Sequence, residues 1–359
     1  MDGKLGAEYV NTEGTTMIRC TLCRNNLAAN QIGLCASCIR TMHNTDRLIS
    51  LHAAARKSWG LPGTPPQSIG GKQCQLCVNA CSMGEGQSGY CGLRINQEGR
   101  IEPLVPERSA LVYAYLDPLP TNCCATWFCP GSHEPGYNLA VFFYGCNFDC
   151  LFCQNASHKL VRMAPVITEK ELLARACAPS IRCICFFGGS PEPQLPFALR
   201  VAQQIQRESE GVQHICWEWN GAGNPLLVER AARISLQTGG VVKFDLKAIH
   251  PNLHMALCGT GNQRTLENFY KVANITRGTD TLTATTLLVP HYIDAQEVGA
   301  IARFIAGINN DIPYSLLVFH PDYLLTDLPI TPQVQVDECV TAARQHLHRV
   351  NIGNIHLLS

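Results

Sequence analysis

Twenty of the 359 residues are cysteine, and fourteen of those fall before position 154, in four clusters. The opening MDGKLGAEYV carries no apolar leader, so the chain is expected to be cytoplasmic. In that reducing compartment grouped thiols ligate metals rather than pair as disulfides. No run approaches the roughly 18 apolar residues of a membrane span. Lys plus Arg and Asp plus Glu number 28 each, so the net charge is zero. That balance argues against an electrostatic nucleic-acid binder. Cys177, Cys183, Cys185, Cys216, Cys258 and Cys339 are scattered through apolar stretches and read as small buried thiols.

The chain changes texture near position 138. The first part is rich in Cys, Gly and Pro and poor in long periodic runs, as expected of small units held by metals rather than by cores. GLPGTPPQSIGG, Gly60 to Gly71, reads as a linker. Three units follow: 1–62, a zinc-ribbon or rubredoxin-like module; 63–138, a Cys-rich auxiliary metal module; and 139–359. In the third, LAVFFYG, IRCICFF, HICWEW, VVKFDL, TLTATTLLV and YSLLVF are short, continuous and β-branched or aromatic, as strands buried on both faces are. Helical spacing occupies 168–177, 195–209, 226–237, 264–276, 294–306 and 332–347. Thr168 with Glu171 and Asp294 with Glu297 form capping-box patterns, and Pro332 after Thr331 suits a first helical turn. Six βα units predict an α/β fold, a partial TIM-like (β/α)6 barrel, with a doubly wound open sheet as the alternative. Either architecture binds ligands at the C-terminal ends of its strands.

The first strand is followed by Gly145-Cys146-Asn147-Phe148-Asp149-Cys150-Leu151-Phe152-Cys153. Three thiolates on one loop can hold three irons of a cubane cluster and leave the fourth open, whereas a structural zinc site closes with four ligands. CNFDCLFC on the loop after the first strand of a βα barrel resembles the signature of the radical S-adenosylmethionine (SAM) superfamily, over about Leu139 to Phe319. The resemblance implies that Cys146, Cys150 and Cys153 ligate a 4Fe–4S cluster whose open iron chelates the methionine moiety of SAM. It further implies that reductive cleavage releases a 5′-deoxyadenosyl radical, and that Phe152 packs near the adenine.

The second strand ends in Gly188-Gly189-Ser190-Pro191-Glu192-Pro193, where the glycines let backbone approach a ligand closely. Gly188, Gly189 and Ser190 resemble the family's GGEP motif, which holds the cofactor's amino group. Glu218-Trp219-Asn220-Gly221 and Lys243-Phe244-Asp245-Leu246-Lys247 follow as acids and lysines at neighbouring strand ends, suited to ribose hydroxyls, a carboxylate or a small cation; an ordinary salt bridge is the plainer alternative. They resemble the Asp-Thr-Asn-Gly and Asp-x-Lys motifs of pyruvate formate-lyase activating enzyme and its relatives. That match implies cofactor-side roles for Glu218, Asn220, Asp245 and Lys247. His320, in FHPDYLLTDLP, matches the late histidine that contacts the cofactor in that group and is preferred to His291. The same run resembles radical SAM proteins associated with the AMMECR1 and Memo families.

Cys74, Cys77, Cys81 and Cys91 lie in CQLCVNACSMGEGQSGYCGLR, which resembles the leader of those same proteins. Four thiolates close a site completely, and spacing leaves a second 4Fe–4S cluster or zinc open. Cys20, Cys23, Cys35 and Cys38 form CxxC, eleven residues, CxxC, the arrangement of a zinc knuckle. Cys123, Cys124 and Cys129 receive no metal assignment, because adjacent cysteines chelate one ion awkwardly.

These features predict a radical SAM oxidoreductase of the activating-enzyme-like branch. It would abstract hydrogen from a substrate carbon, by resemblance a protein glycine, with a peptide, small molecule or RNA as alternative substrates. An electron donor such as flavodoxin or ferredoxin is implied, and no membrane partner. A non-catalytic iron–sulfur electron carrier or interaction protein would explain the cysteines but not the loops at successive strand ends.

Overall fold

A computed structural model describes residues 9–10, 16–208 and 213–358. The first unit is a small sheet of β1 (Tyr9–Val10), β2 (Thr16–Arg19) and β3 (Leu27–Ala28), followed by α1 (Ala36–Arg40) and α2 (Asp46–Lys57). Two short antiparallel pairs come next: β4 (Lys72–Gln73) with β5 (Ser82–Met83), and β6 (Arg94–Gln97) with β7 (Arg100–Pro103).

Everything else is organised on one nine-stranded sheet. Its strands are β8 (Ser109–Pro118), β9 (Tyr137–Phe143), β10 (Val166–Thr168), β11 (Ile181–Gly188), β12 (His214–Trp219), β13 (Val242–Asp245), β14 (Leu282–Leu288), β15 (Tyr314–Val318) and β16 (Val350–Gly353). The spatial order is β10-β8-β9-β11-β12-β13-β14-β15-β16. From β9 to β16 every pairing is parallel, whereas β8 joins β9 and β10 joins β8 antiparallel. All six expected strands and six expected helices are present. The connecting helices are α3 (Glu169–Ala176), α4 (Leu195–Glu208), α5 (Pro225–Thr238), α6 (Pro251–Cys258), α7 (Gln263–Ile275), α8 (Ala295–Ala306) and α9 (Gln333–Arg344). Consecutive helices pack side by side, α3 on α4, α4 on α5, α5 on α7 and α8 on α9, as an outer layer around a partial barrel does. Six βα units are followed by a seventh parallel strand, β16.

Two details differ from expectation. The strand Ser109–Pro118, inside the 63–138 unit of the sequence reading, belongs to the barrel sheet. Pro332 is the N-cap rather than a first-turn residue, extended at ψ 144°, and α9 begins at Gln333. The capping box of α3 forms as read, Thr168 and Glu171 exchanging both bonds; at α8 only half of it forms, Asp294 accepting from the Glu297 N–H at 2.9 Å while the Glu297 carboxylate accepts from the Ile249 and His250 N–H groups.

Strand alternation separates two chemistries. Ile184, Phe186, Ile215 and Trp217 are fully buried, and Phe186 stacks on Trp217 at 4.6 Å between ring centroids. The Trp217 indole N–H donates to the Ala231 carbonyl on α5 at 3.0 Å, so this face meets the helices. The alternate residues Cys183, Cys185, Cys216, Glu218 and Lys243 point into the barrel and line its cavities. Among the described residues no helix is long and apolar enough to cross a membrane.

Candidate functional site

The loop after β9 carries Cys146, Cys150 and Cys153 into one cavity of about 170 Å³ at the C-terminal ends of the strands. Its backbone is held from both sides. The Asp149 and Leu151 N–H groups donate to the Cys258 and Leu257 carbonyls at the end of α6, each at 2.9 Å. The Leu324 N–H, in the run after β15, donates to the Leu151 carbonyl at 3.0 Å. Burial pushes the Cys146 thiol up and the Cys153 thiol to about 11, so a cation bound here would displace their protons. Cys150 goes the other way: the Cys258 thiol hydrogen-bonds it and lowers it.

The same cavity is walled by Phe152, Gly188, Gly189, Glu218, Asn220, Asp245 and Lys247, seven of the nine positions expected beside a cofactor. Lys247 is ion-paired with Asp245, and its Nζ lies 5.2 Å from the Phe152 ring centroid. Asn220 donates to the Asn147 side-chain oxygen at 2.7 Å and to Ser190 Oγ at 3.0 Å, tying three strand-end loops together. Ser190 is buried behind the cavity wall and bonded to Glu192. Gly188 has φ +120°, and a Cβ there would stand 2.5 Å from the Phe143 N atom. A Cβ on Gly189 would meet the Gly145 carbonyl oxygen at 2.5 Å, so both glycines are required to seat this loop against the cysteine loop.

His320 is the exception. It is not among the cavity's lining residues, and its Nδ1 lies 3.3 Å from the Pro321 carbonyl. The histidine that does line the cavity is His158, five residues past Cys153 on a short 3-10 turn. Burial lowers His158 to about 3, and its Nδ1 has no hydrogen-bond partner; neither has Asp245 Oδ1. Two residues that line this cavity of three thiols thus each carry a buried polar atom without a partner. This donor set fits a cluster with a polar organic ligand beside it.

Behind the loop lies an ion-pair centre on Asp149. Its carboxylate receives the His52 Nδ1 at 3.0 Å, contacts Lys159, and has Arg56 Nη1 at 3.7 Å. All four side chains are buried. Burial alone would raise the Asp149 carboxyl, but the His52 hydrogen bond with Lys159 and Arg56 overrides it and holds the group below the usual carboxylate range. His52 and Arg56 come from α2, so the amino-terminal unit grips the cysteine loop directly. The Asn79 side-chain N–H adds a second grip, donating to the Asn147 carbonyl at 2.7 Å.

Glu192 went unnoticed in the sequence although it stands in GGSPEP. It is fully buried and accepts from the Gly221 N–H at 2.7 Å, linking the β11 and β12 loops. Burial raises it from 4.5 to about 7. Between those values the folded chain keeps a proton that the unfolded chain has released, so stability falls as pH rises through the window. Glu192→Gln removes this dependence. The expected result is a wild-type advantage over the variant that is larger at about pH 5 than at about pH 8 in urea unfolding; equal differences at both would contradict the assignment.

The amino-terminal cysteines form two different constellations. The Sγ atoms of Cys20, Cys23, Cys35 and Cys38 all lie within 4.8 Å of one another, with Cys23 and Cys35 at 3.8 Å. Tetrahedral zinc with Zn–S bonds of about 2.3 Å needs sulfurs about 3.8 Å apart. Burial opposes ionisation of Cys20, but backbone N–H groups of Cys23, Cys35 and Leu22 aimed at its sulfur bring it to about 6. Cys74, Cys77, Cys81 and Cys91 are near enough for the other three to raise Cys77, but they do not close to single-ion spacing. Their loop docks on the strand-end loop after β12, the Val78 N–H donating to the Ala222 carbonyl at 2.9 Å.

The Radical SAM superfamily profile matches residues 140–305. An uncharacterized protein of Methanocaldococcus jannaschii is 23% identical over 302 residues, covering 79% of this chain and 81% of that one. Pyruvate formate-lyase 1-activating enzyme of Escherichia coli is 27% identical over 149 residues, covering 39% of this chain and 57% of the enzyme. A crystallised domain of the pyruvate-formate lyase-activating enzyme of Bacteroides vulgatus is similar with a TM-score of 0.40 and 18% identity, over 47% of this chain and 98% of that domain. Residues 140–305 thus carry a radical SAM domain, which implies a 4Fe–4S cluster and SAM, and the chain is an enzyme.

Proposed function

We propose that Cys146, Cys150 and Cys153 hold the 4Fe–4S cluster and that this chain cleaves SAM reductively to abstract hydrogen from a substrate carbon, the backbone glycine of a protein or peptide being the favoured target. One observation carries the site: the three cysteines line one cavity with Asp245 and His158, whose Oδ1 and Nδ1 are buried without partners. When bound, cluster and SAM together supply the electron transfer and the carbon radical. The protein's own groups orient and shield. Lys247 offers a cation to a carboxylate, with Asp245 positioned for hydroxyls, while Gly188 and Gly189 admit a ligand close to backbone. Asn220 and Glu192 fix the strand-end loops to one another, which keeps the pocket wall rigid. The likeness to the Escherichia coli activating enzyme supports the glycine substrate, with an electron donor of the flavodoxin or ferredoxin class. Anaerobic incubation with SAM and dithionite is expected to yield 5′-deoxyadenosine; none from protein with a full cluster would overturn the reading.

In the same proposal the Cys20 knuckle holds zinc and the Cys74 group an auxiliary cluster. Cys35→Ser should lower zinc by one per chain and leave iron unchanged by elemental analysis. Loss of iron instead of zinc would contradict the knuckle assignment.

A further inference from the structure

A second cavity, of about 270 Å³, lies toward the N-terminal ends of the strands and shares Phe187 and Glu218 with the first. It is rich in sulfur. Cys183 and Cys185 on β11 and Cys216 on β12 face it, and the segment 121–132 closes it with Cys123 and Cys129. That segment is anchored across the barrel: Ser315 Oγ donates to the Cys124 carbonyl at 2.9 Å, and the Trp127 indole N–H donates to Ser315 Oγ at 3.0 Å. The turn at 124–128 brings the adjacent thiols of Cys123 and Cys124 together with the Glu218 carboxylate, all within 4.8 Å of one another. Lys243, 2% exposed, reaches the same spot, with Nζ 3.2 Å from both Cys123 and Cys185 and 3.0 Å from Glu218.

We propose that Cys123, Cys124 and Glu218 bind a zinc-class divalent cation inside the barrel, with one coordination position left open to this cavity. Two thiolates and a carboxylate are a donor set that a borderline-soft cation takes in tetrahedral geometry. Charge supports the assignment. A divalent ion with three anionic ligands carries one negative charge, and the Lys243 ammonium cancels it, which matters most at the buried lysine because the Glu218 side chain is 45% exposed. Lys243 also suits the place of an outer partner, donating to the ligand sulfur of Cys123 and to Glu218 without being a ligand itself. Three protein ligands are the number found where a metal keeps a position for water or an incoming thiol or carboxylate, and the cavity gives that ligand room. The two thiols of this site lie on another loop than those of the radical site, while Glu218 borders both cavities.

Zinc content and the zinc K-edge absorption spectrum test it on the cluster-loaded full-length protein. The Cys123→Ser/Cys124→Ser variant is expected to contain one zinc fewer per chain than wild type, with iron unchanged. The wild-type spectrum should show oxygen alongside sulfur in zinc's coordination shell, and the variant's sulfur alone. Equal zinc in both proteins would overturn the proposal. So would a wild-type spectrum with sulfur ligands only, a result that needs no variant to fold.

Discussion

Alanine in place of Cys146, Cys150 or Cys153 is expected to reduce 5′-deoxyadenosine formation to the uncatalysed background and to cut bound iron by the content of one cluster. Three thiolates are the minimum that leaves a single iron open; two leave half the cluster to solvent and to oxidation. Any one of the three substitutions should therefore act like all three together, as groups that work as a unit do. Cys339→Ala is the control. Cys339 is fully buried in the core beside α8, so its loss changes packing by one small thiol and should leave iron and turnover near wild type. Turnover surviving in Cys146→Ala would contradict the assignment of the loop.

The second large effect concerns Asp149, which touches no cofactor. Asp149→Asn leaves Lys159 and Arg56 buried without their carboxylate, and breaking a buried ion pair from one side costs about 3–5 kcal/mol. The cysteines on either side, Cys146 and Cys150, are positioned by the same loop, so iron retention should fall with stability. Denaturant unfolding and iron analysis of the same preparation measure both. A change below about 0.5 kcal/mol, the level of an ordinary surface substitution, would show that the four charges do not act as a centre. Arg56→Met should be milder, because Lys159 and His52 remain to partner the carboxylate.

The parallel strands were legible because burial on both faces writes each as a continuous apolar run. The triad was legible as a group because its three thiols lie within eight residues. What escaped depends on contacts distant in sequence. The strand Ser109–Pro118 lies among cysteine-rich modules, and its exposed residues Tyr113, Tyr115 and Leu116 disguise a sheet strand as loop. Helix α2 buries His52 and Arg56 alongside Leu48 and Ala55, so its inner face reads as polar until Asp149, 97 residues from His52, is placed beneath it. Cys183, Cys185 and Cys216 looked like isolated core thiols, and only the pairing of β11 with β12 brings them to one cavity. The strand-end position of His320 is visible in sequence, but its place outside the lining of the cysteine cavity is not. Glu192 and His158 are visible only as burial and as missing partners.

The account rests on one iron that no side chain holds. Mössbauer spectra of anaerobic, iron-57-loaded protein, recorded before and after adding SAM, address this directly. A single iron site of the barrel cluster should shift on addition of SAM, and that response should vanish in Cys146→Ala. Spectra indifferent to SAM, with all irons of that cluster in sulfur-only coordination, would contradict the vacancy and the chemistry built on it.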